Sequence, residues 1–259
     1  MIHIVIPMAG RGSRFAQVGY PQPKPLIPIH GKPMIEVVVR NLRARDPHRF
    51  IFVVLEDHLR HLDLARTLER IAPGCAIVPT AGVTEGAACT VLLAKKFIDN
   101  EVPLILANSD QWVKASMDDF VFRLREPSVD GLIMTMDADD PKWSFVRLND
   151  SGRVMEVAEK RVISRQATVG IYGFRRGLDF VRAAERMIQK NLRVNNEFYV
   201  APVYNELAAE GARVGVYSVG RDGEGMFGLG TPSDLEKFMG LFVSKEACGQ
   251  NATVSVDVE

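Results

Sequence analysis

Short apolar runs separated by amphipathic stretches set the rhythm of the first 110 residues. Ile2-His3-Ile4-Val5-Ile6, Phe50–Leu55, Ala76–Val78 and Leu104–Ala107 are nearly continuous apolar segments too short for helices, and they predict buried strands. Helical patterns lie between them: one opening at Pro33 and running through Leu42, one from about Asp57 to Ile71 that Pro73-Gly74 stops, and one through Val91–Ala94 that Thr84–Ala88 leads into. Proline suits the first turn of a helix because its missing N–H has no partner there anyway. Strands alternating with helices predict an α/β fold, a Rossmann-like and mostly parallel sheet with helices on both faces. In such sheets ligands gather beyond the carboxyl ends of the strands. The loop at Gly10, the turn at Thr84 and the segment at Asp110 all fall at those ends.

After residue 130 the pattern shortens. Gly131–Met136 reads as a strand, followed by shorter ones near Phe145–Leu148, Val154–Glu159 and Ala167–Phe174, with Asn149-Asp150-Ser151-Gly152 as a turn. Helices are predicted over Leu178–Gln189, Glu197–Ala209 and Pro232–Phe242. No repeat and no low-complexity linker marks a boundary. The expected organisation is one domain over 1–246, with halves 1–130 and 131–246, and a polar tail over 247–259.

Composition narrows the classes. Of 259 residues 47% are hydrophobic, enough for a core that needs no disulfide or structural metal. Lysine plus arginine and aspartate plus glutamate are equal at 32 each, so no global field draws the chain to nucleic acid or an anionic membrane. Any polyanion site must be local. Cys75, Cys89 and Cys248 form no C-x-x-C pair and read as reduced thiols. With no basic-apolar leader and no apolar run near eighteen residues, the expectation is a cytoplasmic protein.

The most informative loop follows the first strand: Pro7-Met8-Ala9-Gly10-Arg11-Gly12-Ser13-Arg14-Phe15, with Pro23-Lys24-Pro25-Leu26 behind it. Glycines let backbone N–H groups approach an anion, and such groups can converge into a phosphate-binding concavity. Arg11 and Arg14 add permanently charged forks. Lys24, between two prolines, is a point charge on a stiff segment. Neither familiar phosphate fingerprint is complete. Phe15 stands where the dinucleotide motif needs its third glycine, and Gly-Lys-Ser/Thr is absent.

The whole ordered string, Gly10-Arg11-Gly12-Ser13-Arg14-Phe15, Pro23-Lys24-Pro25-Leu26-Ile27-Pro28-Ile29 and Gly31-Lys32-Pro33-Met34-Ile35, resembles the signature of the sugar-phosphate nucleotidyltransferases, the nucleoside-diphosphate-sugar pyrophosphorylases. The resemblance implies that family's nucleotide-diphospho-sugar transferase fold, with 1–130 as a nucleotide-binding half and 131–246 as a smaller sugar-binding lobe. It implies an Mg²⁺-dependent enzyme that makes a nucleoside-diphosphate sugar and pyrophosphate from a nucleoside triphosphate and a sugar 1-phosphate. Arg14, Lys24 and Lys160 would be catalytic. Met8, Ala9, Gly10, Arg11, Gly12 and Ser13 would hold the nucleotide's phosphates, and Gly86 and Ala87 its base.

Asp110 ends an apolar strand where a cation-binding carboxylate is expected, and Asn108-Ser109-Asp110-Gln111 resembles the family's metal segment. Glu159-Lys160 resembles the family's Glu-Lys-Pro, with Arg161 in place of proline, and assigns Glu159 to sugar hydroxyls. Gly170, in Val169–Phe174, and Glu197, in Asn195–Tyr199, complete the implied sugar side. Glu197 reads equally well as a first-turn helix carboxylate. One departure stands out: Gly228-Leu229-Gly230-Thr231-Pro232 resembles Asp-x-Gly-Thr-Pro, where the aspartate is a second metal ligand, yet position 228 is glycine. Asp222 or Glu224 in the preceding loop are substitutes to test. Two alternatives stay open: the same chemistry on a non-sugar phosphate for surface-polysaccharide synthesis, and a non-catalytic nucleotide-binding regulator. Nucleobase, sugar and homo-oligomeric state are not legible.

Overall fold

The computed structural model describes residues 1–250, so positions 251–259 of the expected tail lie outside it. The strands are β1 (Ile2–Pro7), β2 (Pro28–Ile29), β3 (Lys32–Pro33), β4 (His48–Leu55), β5 (Ala76–Thr80), β6 (Leu104–Ala107), β7 (Gln111–Val113), β8 (Gly131–Asp137), β9 (Ser144–Leu148), β10 (Val154–Glu159), β11 (Gln166–Phe174), β12 (Val214–Arg221) and β13 (Met226–Gly228). The helices are α1 (Ser13–Ala16), α2 (Met34–Asn41), α3 (Glu56–His61), α4 (Leu64–Ile71), α5 (Ala87–Leu92), α6 (Lys95–Ile98), α7 (Met117–Leu124), α8 (Gly177–Gln189), α9 (Val203–Ala209), α10 (Pro232–Met239) and α11 (Phe242–Ala247).

The fold class is the one the apolar runs predict. β6, β1, β4 and β5 lie side by side and parallel, forming one side of a nine-stranded sheet with β5 at its edge. They read as continuous apolar runs because helices cover both faces. Along β1 the side chains alternate between two cores: Ile4 and Ile6 join Phe52, Val38 and Phe120 on one face, while Val5 joins Ile51, Val91 and Phe180 on the other. The second half adds antiparallel pairing through β11, which meets β6 over Ile171–Phe174 and β9 at Ala167. Gly170 falls at the handover between those two partners.

Three expected helices change shape for physical reasons. The one over Asp57–Ile71 breaks at Leu62, which is extended. Leu62 and Leu64 both reach the same core, and two residues that far apart cannot share a helical face. The helix expected from Glu197 begins only at Val203, because Asn195 and Asn196 turn left-handed and pin Glu197 to Val194. Pro202 then disfavours helix in the residue before it. The helix expected over Pro232–Phe242 ends at Met239, and α11 follows. Both last helices pack back on the start of the chain, where Leu235, Phe238 and Ala247 cluster with Phe15, Ile27 and Met34. The end of the described chain thus shares a core with its beginning.

Tyr204 ties the second half together. Its buried hydroxyl donates to the carbonyls of Gly173 (2.8 Å) and Leu132 (3.3 Å), and its ring stacks on Phe174. Tyr204→Phe is expected to cost about 1 kcal/mol in a denaturant titration; an unmoved midpoint would mean the hydroxyl contributes nothing. No helix of the described residues is long and apolar enough to cross a membrane.

Candidate functional site

Two adjoining cavities open at the carboxyl ends of the central strands. The larger, about 500 Å³, is lined by residues including Arg14, Asp110, Glu159, Lys160 and Gly170. The smaller, about 260 Å³, is lined by Met8, Ala9, Gly10, Lys24, Gly86 and others. Ala87 and Glu197 line both. Most of the residues singled out from the sequence thus share one cleft. Arg11 and Ser13 do not: both are exposed and line neither cavity. Gly12 lines neither as well, and instead supports Lys24. It sits in the left-handed region at φ 62°, and a Cβ there would stand 3.2 Å from the Lys24 Cβ.

Lys24 opens a single 3-10 turn, Lys24–Leu26, that Pro23 leads into. From this turn its Nζ donates to Asp110 Oδ2 at 2.7 Å, with both side chains about a quarter exposed. Asp110 leaves the end of β6 and is braced from the far end of the chain, since Leu229 N donates to its carbonyl at 2.8 Å. Gly230 leaves room for the carboxylate, because a Cβ there would lie 2.7 Å from Oδ2.

The turn before α5 is strapped to a distant segment. Phe198 N donates to Glu85 O (2.8 Å), Ala88 N donates to Phe198 O (3.0 Å), and Arg193 reaches Glu85 while lying 4.2 Å over the Phe198 ring. Gly86, at φ 132°, permits this approach: a Cβ would meet Phe198 N and O at 2.5 Å. Gly170, at φ 79°, does the same for Asn108, whose amide Nδ2 would lie 2.3 Å from a Cβ.

On the other side of the cleft, Lys160 turns left-handed at φ 52°, and its Nζ donates to the Tyr199 hydroxyl at 2.7 Å. That hydrogen bond holds the Lys160 ammonium above the ordinary lysine range, against the effect of burial. Glu159 is mostly buried and accepts from Ser144 Oγ. Burial pushes its carboxyl above the usual range, and the Ser144 bond and Lys160 only partly offset this.

Several cleft residues went unnoticed in the sequence: Asn108 as a wall residue, Trp143, Ser144 and Asp234. Thr231 caps α10: its Oγ1 accepts from Asp234 N at 3.1 Å and donates to Asp234 Oδ2 at 2.7 Å, so the Thr-x-x-Asp capping pattern was the available signal. Neither Asp222 nor Glu224, the substitutes raised for the carboxylate missing at Gly228, lines the cavity, whereas Asp234 does. Buried Gln111 Oε1 and Trp143 Nε1 have no protein hydrogen-bond partner, so an acceptor and a donor remain on the wall. Among the described residues no group of three His, Cys, Asp or Glu is placed to hold a metal. Asp110 and Asp234 are nonetheless oxygen donors of the kind Mg²⁺ accepts alongside phosphate oxygens and waters.

Comparison with known proteins gives the family and the fold. The family model described as Nucleotidyl transferase matches residues 4–209. The bifunctional protein GlmU of Streptococcus sanguinis is 27% identical over 235 residues, covering 84% of this chain and 47% of that protein. GlmU of Methanocaldococcus jannaschii is 23% identical over 178 residues, covering 66% and 39% respectively. The chain thus spans about half or less of the length of these curated relatives. The nucleoside-diphosphate-sugar pyrophosphorylase from Vibrio cholerae RC9 superposes with a TM-score of 0.77 at 25% identity, covering 92% of this chain and 100% of that one. The inositol-1-phosphate CTP transferase from T. maritima, at 16% identity, shares the fold with a TM-score of 0.74, over 96% and 95% of the two chains. With most of its length matched by that family model, the chain belongs to the nucleotidyl transferase family.

Proposed function

We propose that this chain transfers a nucleoside monophosphate from a nucleoside triphosphate to the phosphate of a sugar 1-phosphate, releasing pyrophosphate. The observation that carries this reading is the 2.7 Å approach of Lys24 Nζ to Asp110 Oδ2, made by segments 86 residues apart in sequence. An acceptor phosphate oxygen attacks the α-phosphorus in line. The new P–O bond forms as the bond to the β-phosphate bridging oxygen breaks, and pyrophosphate leaves with that electron pair. The acceptor is already an anion, so no general base is needed.

The obstacle is bringing two polyanions together, about 1 kcal/mol of repulsion per charge pair at 4 Å even in bulk water. Arg14 and Lys24 supply fixed positive charge at the triphosphate, where it stabilises charge developing in the transition state. Lys160, steadied by Tyr199, positions the acceptor phosphate, and positioning alone can supply on the order of 7–11 kcal/mol. Met8, Ala9 and Gly10 bound the phosphates, and Gly86 and Ala87 give a flat base a close approach to backbone. Glu159, Glu197 and Gly170 form the acceptor side. Asp110 would hold Mg²⁺, with Asp234 a further carboxylate of the same cleft. When bound, that ion neutralises phosphate charge.

The test is a pyrophosphate-release screen of the four common triphosphates against sugar 1-phosphates and non-sugar phosphates with Mg²⁺. Release that requires one triphosphate and one acceptor together is the expected result. No release across the panel from folded protein would leave the regulator reading standing. Glu159 adds a pH signature. As a hydroxyl acceptor it works ionised, and burial raises its folded pKa. The acidic limb of kcat/KM is therefore expected above the ordinary glutamate range and should vanish in Glu159→Gln. The stability sign is opposite to that of a paired carboxylate: between the unfolded and the raised folded pKa the native state holds the extra proton, so stability falls as pH rises through that window. Glu159→Gln should flatten this dependence, and an unchanged profile would remove Glu159 from the site.

A further inference from the structure

At the other end of the sheet, where β8 and β12 begin and β11 ends, lies a cleft of about 550 Å³ that the proposed reaction does not use. Five arginines line it, Arg175, Arg176, Arg182, Arg186 and Arg213, against three carboxylates, Asp130, Asp179 and Glu210, a surplus of two positive charges. The pairing is uneven. Arg213 forks onto Asp130 at 2.9 and 3.0 Å, and Arg176 onto Asp179 at 2.8 and 2.7 Å, so these two are committed.

Arg175 and Arg182 have no carboxylate partner among the described residues, and Arg186 is paired but incompletely satisfied. Arg175 gives one Nη to the carbonyls of Glu126 and Val129 and has no carboxylate partner among the described residues. Arg182 is exposed and has no partner among them. Arg186 places Nη1 on Glu210 at 2.7 Å, yet its buried Nε has no hydrogen-bond partner, the Glu206 carboxylate being 3.7 Å away. A guanidinium cannot shed its proton to relieve this. A buried donor without an acceptor costs about 1–3 kcal/mol, so the protein's own groups leave this guanidinium incompletely satisfied. A tetrahedral oxyanion offers acceptors that match such forks. Leu207 and Ala212 add an apolar wall, and the volume suits a small molecule.

We propose that this cleft is a second binding site, for a phosphate-bearing small molecule, with Arg175, Arg182 and Arg186 as its anion ligands. It is distinct from the transferase cleft: Gly170 and Arg175 sit on one strand and the residue following it, and five residues at about 3.4 Å each separate the two by roughly 17 Å.

Inorganic phosphate is the probe, with unfolding temperature followed on the full chain at ionic strength matched by chloride. Phosphate is expected to raise it saturably in the wild type, and the part of the rise that depends on Arg182 is expected to persist in Lys24→Ala, whose transferase cleft is impaired. Arg182→Ala should weaken the apparent affinity by about tenfold or more, the size of one charge-assisted hydrogen bond. Arg182 is exposed and unpaired among the described residues, so its removal leaves folding intact. The proposal is overturned if chloride gives the same shift, if Arg182→Ala responds like the wild type, or if Lys24→Ala abolishes the response. Equal binding of succinate would overturn the phosphate class.

Discussion

Lys24→Ala and Asp110→Asn are each expected to cut pyrophosphate-forming turnover by about a hundredfold or more, the size of one preorganised electrostatic contact. The pair faces the cleft at 2.7 Å, so each residue sets the charge the other presents to a bound triphosphate. Their effects should be strongly non-additive, because residues in direct contact share one interaction. Stability should barely follow. Both side chains are about a quarter exposed, and partly exposed pairs contribute about 1 kcal/mol or less. Turnover and thermal melts measured on the same variants separate the two effects. Near-normal turnover in either variant takes that residue out of the mechanism, and a large loss of melting temperature would mean that the pair acts on folding.

Gly86→Ala should be the most damaging single methyl in the site. Its Cβ would lie 2.5 Å from both N and O of Phe198, which are backbone atoms and cannot swing aside. Those two atoms carry the hydrogen bonds that strap the turn to the 193–198 segment. The backbone at φ 132° is strained for any residue with a Cβ, at about 1–3 kcal/mol, and overpacking adds a similar amount. The expected loss is about 3 kcal/mol of stability, with weaker triphosphate binding because Gly86 and Ala87 line the smaller cavity. Gly10→Ala is the stability control, since an added methyl there meets nothing within 4 Å. If the two variants melt together, the strap is not holding the turn.

Individual residues show how far a linear reading carries. Lys24 and Asp110 were each legible, one from the prolines around it and the other from the apolar run it ends. The rule that parallel sheets gather ligand loops at one edge brings them to one crevice, but their direct contact at 2.7 Å is legible only in the fold. Glu197 was misplaced on a helix because helical periodicity continues through it, while the Asn195-Asn196 turn that holds it is a backbone choice enforced by packing around Phe198. Arg11 looked as suitable as Arg14 by type and spacing, yet only Arg14 lines the larger cavity.

The amino-acid sequence by itself determined the buried strands, the ligand-bearing edge of the sheet and the basic loop with its facing carboxylate. These follow from local periodicity, from where chain direction changes and from residue chemistry. Tertiary structure alone decided that Asp234 joins Asp110 in one cleft, that Ser144 and Tyr199 hold Glu159 and Lys160, and that arginines from separate segments share a second cleft. These pairings join residues far apart in sequence. Periodicity reports which face of an element is buried, but not which distant element will cover it.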